Sequence, residues 1–123
     1  MELPDQAPDI LAFLKCEQKW IGDELDLSQI QAGDQLLVRT RNTLYLFRMV
    51  DSHHGMLSTN RANRPSGSIH IQGCTFGRSS LIKPGHLFCG GALEIVYLEN
   101  SRVFTTSPIE EIQLVTHSSS GVT

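Results

Sequence analysis

Seven arginine and lysine side chains fall within residues 35–92 of this 123-residue chain, and their type and spacing point most directly to chemistry. Arg39, Arg41, Arg48, Arg61, Arg64, Arg78 and Lys83 share that segment with a single acid, Asp51. The segment therefore carries +6, whereas residues 1–34 carry −6 and residues 93–123 carry −3. Guanidinium groups bind phosphates and carboxylates through forked N–H donors, so a basic block between acidic flanks raises the question of an anionic partner. Arg39 and Arg41 are expected on one strand face with Leu37, Arg48 on the next strand, and Arg61 and Arg64 in a loop. If Arg39, Arg41 and the loop arginines converge beside Tyr45 or Phe47, the surface offers charge for phosphates and an aromatic for stacking bases. Against this stands a pI near 5.9, well below the basic footprint of a nucleic-acid binder. The ordinary expectation is a solvated or internally paired surface, with the acidic flanks folded back over the arginines. Binding to nucleic acid or a small anion is the lesser reading.

Other constellations are weaker. Residues Gly73-Cys74-Thr75-Phe76-Gly77-Arg78-Ser79-Ser80 place three residues between glycines and an arginine where a phosphate-binding loop needs four and a lysine. No helix pattern follows, so the stretch reads as a glycine-bounded connection whose amides and Arg78 could at most hold a small anion. His70, Cys74, His86 and Cys89 supply metal-ligand types at short spacings, with His53 and His54 nearby. No Cys-x-x-Cys pair occurs, and residues four apart on a strand lie about 13 Å apart, so buried thiols and exposed imidazoles are the expectation and no metal or cofactor is assigned. Nucleophilic catalysis would need Cys74, Cys89 or a serine beside an oriented histidine. Asp51 is the one carboxylate in the middle segment for that role, and Glu110 and Glu111, adjacent on a strand, point to opposite faces. No catalytic residue is assigned; a small enzyme using Cys or His is the third reading.

The elements that must position these groups are mostly strands. Ile10, Phe13 and Leu14 suggest a short helix capped by Asp9 and ended by Gly22, with an extended arm packing Trp20 on the core as the alternative. Leu27 and Ile30 suit one tight turn closing at Gly33-Asp34. Residues 35–41 and 44–51 are β-rich, and Asn42-Thr43 between them resembles a two-residue hairpin turn. Residues 56–60 predict a third strand, 61–67 a loop, and 68–74 a strand with alternating Ile69 and Ile71. Leu81-Ile82, a Pro84-Gly85 turn and the apolar run 87–98 follow, with Gly90-Gly91 marking a bulge or bend. Glu99-Asn100-Ser101 turns into strands over 102–106 and 109–115. Phe47, Phe88, Tyr97 and Phe104 are expected in the core.

Gly33-Asp34, the run Leu-Val-Arg-Thr-Arg-Asn-Thr-Leu-Tyr over 37–45, and Thr-Ser-Pro-Ile-Glu-Glu-Ile over 106–112 together resemble uncharacterised small bacterial proteins. The likeness spans roughly residues 33–115 and implies a small β-barrel of unassigned function, with no catalytic residues to carry over. Six or seven short strands without intervening helices predict an antiparallel barrel, SH3-like or Sm-like in style. The expected organisation is an acidic extension over 1–34, a barrel over 35–116 and a tail over 117–123. Three cysteines in no framework, an acidic amino terminus and no apolar run of membrane length predict a cytoplasmic protein with reduced thiols. The function expected is non-catalytic binding, to a second copy or to another protein, with no membrane involved.

Overall fold

Alternation of apolar with polar residues decides which face of each strand turns inward. Leu36 and Val38, then Tyr45, Phe47 and Met49, then Leu57, Ile69 and Ile71, Leu93 and Ile95, and Ile112 and Leu114 all enter one buried cluster. The computed structural model describes residues 10–15, 19–60, 66–76 and 81–116. Within them run α1 (Ile10–Lys15), β1 (Trp20–Gly22), β2 (Glu24–Asp26), a 3-10 turn (Leu27–Gln29), β3 (Gln35–Arg39), β4 (Leu44–Met49), β5 (His54–Thr59) and β6 (Gly67–Thr75). The remainder are β7 (Ile82–Pro84), β8 (His86–Phe88), β9 (Ala92–Tyr97), β10 (Val103–Pro108) and β11 (Glu111–Val115). The chain is mainly β, as expected, and every pairing is antiparallel.

One sheet follows the path β1-β11-β3-β4-β5-β6-β9-β10, with β7 on β6, and β2 pairs with β8 in a second small sheet. The ends of that path, β1 and β10, do not pair, so hydrogen bonds do not close the expected barrel. The sheet nevertheless curls around its core. Tyr45 on β4 and Phe104 on β10 bring their ring centres to 6.2 Å. Ile109 and Glu110 join β10 to β11 across the gap, where the Ile109 N–H donates to Gly91 O at 2.8 Å and the Glu110 N–H to Arg39 O at 2.7 Å.

Strands outnumber the expected six or seven because residues before 33 contribute two and residues 81–98 divide into three. The division at Gly90-Gly91 is the anticipated bend: Gly90 has φ +92°, and a side chain on Gly91 would strike the Phe88 ring. The described helix covers Ile10–Lys15, and Trp20–Gly22, expected at its end, is a strand. Trp20 and Ile21 favour extended backbone, and β11 offers them a free ladder edge, so residues 20–22 pair with 112–114 instead. Trp20 does not anchor the core; it is 42% exposed, with its ring over Gly22. Phe13 is the anchor, buried with Leu37 and Leu46 on the outer face of β3 and β4, whereas Leu14 is exposed. The Asp9 cap and the 117–123 tail lie outside the described residues. Leu27 and Ile30 form the expected tight turn, with Leu25 part of the same main core. No described helix is long and apolar enough to cross a membrane.

Candidate functional site

The β3–β4 hairpin is one column of antiparallel pairs ending at Arg39 opposite Leu44. Its turn is Thr40-Arg41-Asn42-Thr43, closed by the Thr40 N–H donating to Thr43 O at 3.0 Å, so the centre is Arg41-Asn42, one residue earlier than expected. Thr40 and Thr43 are buried and hold the turn, while Arg41 and Asn42 project to solvent. Two depressions adjoin here. One of about 290 Å³ is lined by residues 39–44 with Asn60, and one of about 260 Å³ by Arg41, Ser107, Pro108 and Glu110. Arg41 belongs to both. Asn60 is positioned by the Leu44 N–H donating to its Oδ1 at 2.9 Å, which leaves its amide N–H groups for another acceptor.

Arg39 is already engaged. Its Nη1 donates to Glu110 Oε1 at 2.8 Å and its Nε to Glu111 Oε1 at 3.1 Å, and the Glu111 hydrogen bond, with Glu110, holds its pKa above the ordinary value. The acids that neutralise Arg39 thus come from the start of β11 and the residue before it, not from the amino-terminal extension. Of the extension's acids, Glu24 reaches Lys83 at 3.2 Å. Arg41 and Arg48 make no ion pair among the described residues. Arg48, opposite Gln35, sits at the other end of β4, roughly 13 Å along the strand from Leu44. It therefore does not join Arg39 and Arg41. Tyr45 and Phe47 are buried, 3% and 0% exposed, so neither offers a ring for base stacking. Arg61, Arg64 and Arg78 lie outside the described residues.

At the opposite end of the sheet a second polar group gathers. The turn after β4 makes Asp51 Oδ1 accept the N–H groups of His53 at 2.8 Å and His54 at 2.7 Å. Those backbone hydrogen bonds, His53 first, hold the Asp51 carboxyl below its usual range and keep it ionised at neutral pH. His54 Nδ1 lies 3.0 Å from both Asp51 oxygens, and its Nε2 is 3.1 Å from His70 Nδ1 on β6. His53 Nδ1 meets Ser52 Oγ at 2.7 Å, and its ring stacks over His70 with centres 6.0 Å apart. Burial, then the charges of His54 and His53, push His70 below the ordinary imidazole value, with Asp51 pulling the other way. The sequence showed Asp51, His53 and His54 as neighbours. It did not show His70, whose position opposite His54 is a matter of β5–β6 register.

The metal candidates His70, Cys74, His86 and Cys89 do not converge. A register shift between Ile71 and Gly73 turns Cys74 into the core, 0% exposed, away from the face that carries His70. Burial raises the Cys74 thiol to about 11, and burial likewise raises Cys89, so both are protonated at neutral pH and poor nucleophiles. His86 faces Asp26 at 3.7 Å. Among the described residues no group of three or more His, Cys, Asp or Glu is placed to hold a metal ion. No family model, curated protein or solved structure matches the chain.

Proposed function

We propose that the protein is a non-catalytic binding module that grips an anionic group of its partner at the β3–β4 hairpin. The observation that carries this reading is Arg41: an exposed guanidinium, unpaired among the described residues, shared by two adjoining depressions with amide and hydroxyl neighbours. Arg39, tied to Glu110 and Glu111, lines one of the two depressions beside Arg41. With Tyr45 and Phe47 buried, the partner's contribution is a phosphate or carboxylate rather than a stacked base. The curled sheet and the main apolar cluster inside it support the further reading of a small barrel in the SH3-like or Sm-like style, a scaffold that by itself names no ligand.

Fluorescence anisotropy with a mixed-sequence oligonucleotide and with a polyglutamate peptide tests the binding. At least one is expected to bind at about 50 mM salt and to weaken at about 200 mM. Arg41→Ala is expected to weaken that binding roughly tenfold, as the loss of one charge-assisted contact does. No binding of either probe at low salt, or an Arg41→Ala chain that binds like the parent, refutes the proposal.

A further inference from the structure

The His54–His70 pair brings two ring nitrogens face to face within hydrogen-bond distance across β5 and β6. Asp51 is a carboxylate with no proton to give, so the His54 Nδ1 that lies between its two oxygens must carry the proton. That leaves the His54 Nε2 lone pair facing His70 Nδ1 at 3.1 Å. In-line N–H···N contact at this separation would set the ring centres about 5.4 Å apart, each centre being roughly 1.15 Å behind its nitrogen. The observed separation is 4.7 Å, with the rings tilted by 54°. The contact is therefore bent rather than in line. For an ion about 2.05 Å from each nitrogen, the expected centre separation is about 4.8 Å and the N–metal–N angle about 98°. That angle suits two neighbouring positions of either a square plane or a tetrahedron.

We propose that His54 Nε2 and His70 Nδ1 form a two-imidazole site for a divalent transition ion, with Asp51 as the positioning residue behind His54. It is a site at the opposite end of the sheet from Arg41 and independent of the binding reading there. Directly paired residues on adjacent antiparallel strands hold their side chains on one face at fixed separation, and His54 and His70 are such a pair. A carboxylate on the far nitrogen fixes the ring and raises its basicity as a ligand. Asp51 is itself held in place by the His53 and His54 N–H groups. Since no third protein donor converges among the described residues, water completes the coordination. Copper(II) leads the affinity order for imidazole donors, ahead of zinc.

Titration of the full chain, free of any affinity tag, with copper(II) in a weakly competing buffer tests the site. One ion per chain with a micromolar dissociation constant is expected, with electron paramagnetic resonance splitting from two nitrogens. His70→Gln and His54→Gln are each expected to weaken binding at least tenfold, Asp51→Asn to weaken it about tenfold, and His86→Gln to leave it unchanged. A second measurement needs no variant: zinc(II) added to the parent chain should shift the ring-nitrogen resonances of His54 Nε2 and His70 Nδ1 selectively. Absence of saturable copper binding, binding unaffected by His70→Gln, or zinc shifts spread over the other imidazoles overturns the proposal.

Discussion

His70 shows how one side chain takes its properties from its neighbours. Its folded pKa lies below the ordinary imidazole value of 6.5, so below that pH the unfolded chain binds more protons than the folded one. Stability contributed by the neutral ring is therefore present above 6.5, is lost as pH falls through that value, and stops falling below the folded pKa. In metal-free buffer with a chelator, the urea midpoint of the parent should drop more between about pH 7 and pH 5 than that of His70→Gln. Equal slopes for the two would mean that His70 is not the group responsible. The sequence made the imidazoles at 53 and 54 visible as neighbours of Asp51. Their partnership with His70 could not be read, because residues 54 and 70 meet only through β-ladder register, which single-sequence patterning does not fix across a loop.

Strand β6 is where element-level reading worked and then failed. Ile69 and Ile71 alternate inward as their period predicts, but continuing that alternation would place Cys74 outward with His70. The shift between Ile71 and Gly73 breaks the period. Gly73 makes the shift possible: it adopts φ +145°, and a Cβ there would lie 2.3 Å from Lys83 O on β7. Gly73→Ala must therefore strain the backbone and separate β6 from β7. A loss of roughly 2–4 kcal/mol is expected in denaturant unfolding, and a change under about 0.5 kcal/mol, the range of an ordinary surface substitution, would refute this account of the bulge. The same lesson holds for residues 10–22. The 3.6 period located Phe13 correctly, but β1 forms because β11 lies beside it, and that neighbour is not a local signal.

For the molecule as a whole, two apolar clusters of unequal size divide the stability. The main one lies inside the curled sheet, and the smaller joins Phe13 to Leu37 and Leu46 outside it. Phe47→Ala, at a site with no exposure, empties space that strands on several sides cannot fill, and about 3–5 kcal/mol of global stability should be lost. Phe13→Ala instead releases a six-residue helix that has little stability alone. Global unfolding should change by about 1–2 kcal/mol, whereas amide exchange across residues 10–15 should rise toward the unprotected rate. Comparable global losses for both substitutions would show that α1 is part of the main cooperative unit. At this scale the mainly β class and the central hairpin were legible from period and turn residues. Closure was not, since it depends on whether strands distant in the chain find each other's edges.

Strand β11 sits between β1 and β3, so Trp20 pairs with Leu114 and Gln35 with Val115. As the chain leaves the ribosome, β3 and β4 can zip at once through their short turn. The residues of β1, made earlier still, have no ladder to join until β11 emerges. The contacts that complete this edge of the sheet are thus the most distant in sequence, and such contacts slow folding because a long loop must close before they form. Synthesis order and sheet order are opposed here, and β1 must wait for β11 before it has a place.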